Sequence, residues 1–305
     1  MITSHQDAIK HWNGKPYHSL NTYLLETFGR KVRKIALDGG FTCPNRDGTL
    51  GVRGCIFCSE EGSGDFAVER LPEVTDGQPV IAYFQSFTNT YGPIDRLESC
   101  YRMAIEHPDV VALSIATRPD CLSDSVIALL KQLNQMKPVW IELGLQTIHE
   151  ETARFIRRGY PLDVFTDAVR RLREANIEVI VHTILGLPGE TIADMIETHR
   201  FLATQPIQGI KLQLLHVLKG TDLNTLYEKE PFHIFSMEEY IHVLLRCVEV
   251  LPEDIVIHRI TGDGPKHLLT APLWSGYKKH VLNTIHHEFK VQDTWQGKHY
   301  ERNIQ

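Results

Sequence analysis

Three cysteines, Cys43, Cys55 and Cys58, fall within sixteen residues of one another inside the stretch 38–58, DGGFTCPNRDGTLGVRGCIFC. Three thiolates can hold three irons of a cubane [4Fe–4S] cluster and leave the fourth iron open to a substrate or cofactor. A closed structural zinc or electron-transfer site would carry a fourth Cys or His nearby. The pair Cys55-Ile56-Phe57-Cys58 is compact enough to grip one metal centre, and Pro44, Gly48, Gly51 and Gly54 make the intervening segment a loop able to bring Cys43 back. A zinc site, or scattered buried thiols with no metal, is the competing reading. Cys100, Cys121 and Cys247 stand far apart and are expected to be small buried residues. Six cysteines in this arrangement suit a reducing compartment better than a disulfide framework.

The elements that must position these residues repeat along the chain. Apolar, β-rich runs near 32–37, 79–84, 110–116, 139–143, 178–184 and 209–215 alternate with helical patterns near 95–106, 123–135, 163–175, 191–203 and 236–250. Such alternation predicts a parallel sheet. Six units joined by short right-handed crossovers curl into an open, partial (β/α)6 barrel rather than the closed eightfold form. The expected class is therefore α/β: an N-terminal extension over 1–30 with a short amphipathic helix near 19–27, a barrel over 31–250, and a C-terminal extension over 251–305 that opens on a possible seventh strand, 255–258. Asp95, Ser123, Asp163 and Ser236 are placed to cap helix starts. Parallel α/β barrels build their sites at the C-terminal ends of the strands. Here the first exit carries the cysteine loop, and the next four carry Gln85-Ser86-Phe87-Thr88-Asn89-Thr90, Thr117-Arg118-Pro119-Asp120, Gly144-Leu145-Gln146 and Leu185-Gly186-Leu187-Pro188-Gly189-Glu190.

An aromatic residue just before the last cysteine of a C-x11-C-x2-C set resembles the cluster loop of radical S-adenosylmethionine (SAM) enzymes. The usual spacing in that family is C-x3-C-x2-C. The long first gap resembles the variant in the radical domain of the Elongator catalytic subunit and its bacterial relatives. TRPD (117–120), ELGLQ (142–146), RRGY (157–160) and LGLPGE (185–190) resemble Elongator-type stretches over roughly residues 35–220. With RITGD (259–263) and APLW (271–274), the whole resembles the YhcC/YtqA group of MnmL-type radical SAM proteins.

The resemblance implies a [4Fe–4S] cluster on Cys43, Cys55 and Cys58, and SAM as the second cofactor. It implies that Gln85 and Ser86 meet the methionine amine, at a place where the family usually carries a Gly-Gly-Glu-like turn that this sequence lacks. Gln146 and Arg158, twelve residues apart, match a ribose-binding glutamine and a carboxylate-binding arginine, with Arg157 as the alternative to Arg158; a planar guanidinium suits a carboxylate. Gly186 would admit backbone beside the adenine, and His182 would contact SAM or substrate or be a structural histidine. No catalytic residue beyond the cluster and SAM site is implied. The implied reaction is reductive cleavage of SAM to a 5′-deoxyadenosyl radical that acts on the tRNA wobble uridine, taking 5-carboxymethylaminomethyl-uridine to 5-aminomethyl-uridine. A flavodoxin or ferredoxin would supply electrons, and a separate tRNA methyltransferase would act downstream. A radical SAM enzyme acting on a small molecule, and a non-catalytic iron–sulfur or zinc protein, remain the alternatives.

Net charge is −6, but it is uneven: residues 1–34 carry +4, residues 255–305 carry +3, and the middle carries −13. Basic ends suit a polyanion such as RNA, with Arg30, Lys31, Arg33 and Lys34 at one end and Arg259, Lys266, Lys278 and Lys279 at the other. Trp274 or Tyr277 would offer a stacking face. Ordinary solvated surface explains the same charges. The first residues hold no apolar core, and no run of eighteen apolar residues occurs, so the expected location is cytoplasmic, without a signal peptide or membrane span.

Overall fold

The computed structural model describes residues 2–62, 64–69, 71, 77–262 and 264–301. Each predicted run forms the expected element. Helices α1 (His5–His11) and α2 (Leu20–Phe28) precede β1 (Arg33–Leu37), β2 (Val80–Phe84), α3 (Ile94–Ile105), β3 (Val110–Thr117), α4 (Asp124–Asn134) and β4 (Val139–Gln146). Then follow α5 (Glu150–Phe155), α6 (Leu162–Glu174), β5 (Glu178–Leu185), α7 (Ile192–Ala203) and β6 (Gly209–Leu214). The chain continues through β7 (Val217–Leu218), α8 (Asp222–Lys229), α9 (Met237–Glu249), β8 (Val256–Arg259), β9 (Leu269–Ala271) and α10 (Lys278–Val291). One sheet runs in the order β1-β2-β3-β4-β5-β6-β8, with β1 and β8 as its outermost strands. The fold is the α/β class with an open parallel sheet, and the possible seventh strand joins it beside β6.

The chain divides into two compact units. The first comprises Leu24–Leu145 and Ala153–Val181. In it, β1 to β4 pair in parallel register, with Leu37 opposite Phe84, Phe84 opposite Ile115 and Tyr83 opposite Ser114. Side chains alternate across a strand, so Phe84, Leu113, Ile115, Val139 and Ile141 share one buried face. Helix α3 covers that face, setting Tyr101 edge-on to Phe84 at 5.2 Å. The opposite face carries Lys34, Tyr83, Ser114 and Glu142. Arg33 is exposed while Lys34 is half-buried, so the basic run near the first strand is split between two faces.

The second unit holds Met1–Tyr23, Gln146–Thr152 and His182–Gln305. Its N-terminal segment is structural: Trp12 and Ala8 pack on Trp295, and Ser19 bridges Ile257 along the β8 edge. The C-terminal stretch, expected to be loose and polar, contains the fourteen-residue helix α10, which buries Val281, Ile285 and Phe289. Two cap assignments shift. Ser123 caps α4, and Ser236 closes a capping box with Glu239, but Pro93 and Pro161 precede α3 and α6, so Asp95 and Asp163 lie inside the first turn.

Candidate cluster and cofactor site

In the first unit the cysteine loop folds back on itself through backbone bonds. Arg46 N–H donates to Cys43 O at 2.8 Å, Leu50 N–H to Pro44 O at 2.8 Å, and Cys58 N–H to Cys55 O at 3.1 Å. Gly54 takes φ +73°, in the left-handed region that glycine occupies without penalty. The three thiols are brought together: burial raises the Cys55 pKa to about 12, and the charges of Cys58 and Cys43 push the same way, opposed by Arg118 and a hydrogen bond from Asn45. A buried thiol crowded by two others becomes a thiolate only against a bound cation, which is the chemistry of a cluster site. The donor set therefore fits a [4Fe–4S] group held by Cys43, Cys55 and Cys58. Cys121 also feels the charge of Cys43. Only Cys247 of the three remaining cysteines is fully buried; Cys100 and Cys121 are partly open, contrary to the expectation for them.

Asn45, 5% exposed, is the joint of the loop. Its Nδ2 donates to Arg157 O at 2.7 Å and lies 3.5 Å from Cys55 Sγ, while Ile56 N–H donates to Ile156 O at 3.3 Å. The segment after α5 thus supports the cysteines with backbone. Arg157 takes φ +59° and presents its carbonyl to them. Arg158 is 2% exposed; its Nε donates to Tyr160 O at 2.9 Å and its Nη1 to Leu145 O at 3.4 Å, and its guanidinium lies 5.0 Å from the Tyr160 ring centre. Arg118 donates to both Asp120 oxygens at 2.9 and 2.7 Å and to Arg158 O at 2.9 Å. Burial disfavours the charged Arg118, but Asp120 holds it protonated.

At the β2 exit, Ser86 is 1% exposed, and its Oγ has no hydrogen-bond partner among the described residues. Asn89, 0% exposed, donates to Phe84 O and Ala116 O at 3.1 and 3.0 Å, and its Oδ1 is likewise unsatisfied. Orphaned buried polar atoms are costly, and they are expected where a ligand completes the set. Gln85 is anchored by its backbone N–H to Leu37 O at 3.1 Å.

In the second unit, Gln146 ends β4 at φ +64°, a left-handed conformation rare for a non-glycine residue. Thr147 behind it is fully buried. The Glu190 carboxyl, its pKa raised by burial, bonds to Thr147 and Thr152, which ties the segment after Gln146 to the β5 exit turn. Gly186 takes φ +89°, and a Cβ there would meet the Phe235 ring at 3.2 Å. His182 lies on β5, half-buried, one residue before Thr183, whose Oγ1 is 3.2 Å from His199 Nε2. Sequence reasoning missed Lys34 as an interior residue, and also missed Asn45, Asn89, Glu142 and Glu190. Glu142 and Glu190 lie inside the quoted ELGLQ and LGLPGE stretches, which was the available signal.

Residues 51–202 match the Radical SAM superfamily, and residues 207–291 match the Radical_SAM C-terminal domain. The chain is 44% identical over 303 residues to Uncharacterized protein YtqA of Bacillus subtilis, covering 94% of each. The chain belongs to the radical SAM superfamily. This radical SAM enzyme is also 27% identical over 185 residues to a tRNA uridine(34) acetyltransferase of Methanocaldococcus infernus, covering 59% of this chain and 33% of that protein. Its fold matches Methanocaldococcus infernus Elp3 with a TM-score of 0.64 at 18% identity, over 87% of this chain and 64% of that one. The resemblance to the Elongator-like group holds, and the superfamily's cofactors are a [4Fe–4S] cluster and SAM. Among the described residues, no helix is long and apolar enough to cross a membrane.

Proposed function

We propose that this radical SAM enzyme modifies the wobble uridine of tRNA, taking 5-carboxymethylaminomethyl-uridine to 5-aminomethyl-uridine in the cytoplasm. The observation that carries the reading is the relation to a protein named for acetylating tRNA uridine 34, confined to about a third of that protein's length. When bound, a reduced cluster and SAM would supply the radical chemistry needed to remove a substrate hydrogen. Cys43, Cys55 and Cys58 would hold the cluster, with Asn45 and the carbonyls of Arg157 and Ile156 fixing their loop. Gln85, Ser86, Gln146, Arg158, His182 and Gly186 are the candidate SAM residues. Of these, Ser86 brings the unsatisfied buried hydroxyl and Gln146 the strained backbone. Arg158 acts at least through the carbonyls it binds, setting the turn beside the cysteines.

RNA would be held by exposed cations. Lys266, Lys278 and Lys279 are exposed, Tyr277 beside them is 71% exposed, and Arg30, Lys31 and Arg33 are exposed at the other end. Trp274 is half-buried, with its Nε1 donating to Phe235 O at 2.9 Å and its ring beside Tyr240, so Tyr277 is the more open stacking face of the two. A flavodoxin or ferredoxin would reduce the cluster, and a separate methyltransferase would use the product. Anaerobic reconstitution with reductant, SAM and tRNA bearing 5-carboxymethylaminomethyl-uridine, followed by nucleoside mass spectrometry, tests the reading. Appearance of 5-aminomethyl-uridine is expected; SAM cleavage with unchanged tRNA and turnover of a small molecule instead would replace it.

A further inference from the structure

On the sheet face away from α3, Lys34 reaches across two strands. Its Nζ lies 2.5 Å from Glu142 Oε1 and 3.3 Å from Ser114 Oγ, and Ser114 Oγ donates to the same carboxylate oxygen at 2.5 Å. The ammonium also sits 3.9 Å above the centre of the Tyr83 ring. Glu142 is wholly buried, whereas 21% of the Lys34 side chain stays open. Placing such a pair inside a sheet seldom adds stability, because desolvation offsets the attraction, so the pair is better explained by a task than by the fold.

Register sets its height. The row Leu37, Phe84, Ile115 marks where β1 and β2 end and the cysteine loop begins. Ser114 stands one residue below that row, and Glu142 pairs with Ala116, one residue above it. The ammonium is therefore held at the level from which the cysteine loop leaves the sheet. Glu142 and Ser114 bind its buried side, the Tyr83 ring supports it, and the open part of the side chain is where an anion would be met.

We propose that Lys34 is the receptor for the substrate's carboxylate, positioned by Glu142 and Ser114. The proposal rests on the carboxymethylaminomethyl substrate argued above, whose carboxylate is the charge that the 5-aminomethyl product lacks. Such a contact would hold the reacting side chain beneath the cysteine loop and release the product once the acid is gone. An amide in place of the acid keeps the shape and loses the charge-assisted bond.

The test compares anticodon stem-loop RNAs that carry the acid, its carboxamide analogue or plain uridine at the wobble position, with SAM binding measured alongside. Wild-type protein is expected to favour the acid over the amide by about tenfold or more, as removal of a charge-assisted hydrogen bond implies. In the paired variant Lys34→Met with Glu142→Gln, which removes both charges of the pair together, that preference is expected to fall towards one. Equal affinity of wild type for acid and amide overturns the inference without needing any variant. A preference that survives in the paired variant also overturns it, and so does a variant that loses SAM affinity instead, because the carboxylate served would then be that of SAM. If wild type binds none of the stem-loops, the tRNA reading itself fails and the inference falls with it.

Discussion

Removing the Lys34 ammonium should cost more stability than its half-open position suggests, because it takes a counter-charge away from a wholly buried carboxylate. Glu142 is fully buried, and of Lys34 and Ser114, which both bond its Oε1, Ser114 alone would remain. Breaking a buried pair from one side leaves an uncompensated charge, at a cost of about 3–5 kcal/mol. Lys34→Met should therefore lose about that much. Glu142→Gln should lose less, about 1–2 kcal/mol, because the partly open ammonium can be rehydrated while one charge-assisted bond disappears. The paired variant should return to within about 1 kcal/mol of wild type, giving a coupling of several kcal/mol in a double-mutant cycle. Urea unfolding under anaerobic conditions, followed by circular dichroism, measures all four proteins. Two single changes that each cost under about 1 kcal/mol and simply add would refute the premise that Glu142 depends on Lys34 for its charge.

Three further outcomes are expected. Alanine at Cys43, Cys55 or Cys58 should reduce the iron and sulfide bound on anaerobic reconstitution, whereas Cys121→Ala should bind the full complement; a complete cluster in Cys43→Ala would remove Cys43 from the ligand set. His199 is 1% exposed, and burial lowers its pKa to about 4. The unfolded chain takes up that proton below about pH 6.5 while the fold refuses it, so stability should fall as pH drops from about 6.5 towards 4, by up to about 1.4 kcal/mol per pH unit per such histidine. His286, lowered to about 4 by burial and then by Lys15, adds to the same slope, and His199→Gln should flatten only part of it in pH-dependent unfolding. Neutralising Lys278 and Lys279 to Gln should weaken tRNA binding and reduce its log–log salt slope by about two, as loss of two phosphate contacts requires; an unchanged slope would remove the C-terminal cations from the RNA surface.

The strands and the cysteine loop were legible because each announces itself locally. Apolar, β-rich runs alternating with helical patterns marked every strand of the sheet through β6, and the three cysteines needed only spacing to be grouped. Caps were less legible. An acidic residue at a helix start serves equally in the first turn, and the Pro93 and Pro161 that precede Asp95 and Asp163 claim the cap position by their own backbone preference. Helix α10 was hidden by its histidines and lysines, which give the segment a polar composition although Val281, Ile285 and Phe289 recur at helical spacing along its buried face. The supporting residues of the site were least legible of all. Asn45 acts on Arg157, more than a hundred residues away, and nothing in either local sequence shows that the topology brings them together.

Lys34 shows what a charge count misses. In sequence it closes the basic cluster of Arg30, Lys31 and Arg33, and a tally of cations assigns all four to one phosphate-binding surface. A β-strand turns adjacent side chains to opposite faces, so once β1 begins at Arg33, one of the two neighbouring cations must face away from the other. Arg33 keeps the exposed position, and Lys34 is drawn over Tyr83 to the buried Glu142. The N-terminal part of the proposed RNA surface would then be Arg30, Lys31 and Arg33. The cation removed from the surface lies instead against Glu142, Ser114 and the Tyr83 ring, where, on the proposal above, one charge would select among substrates rather than merely attract them.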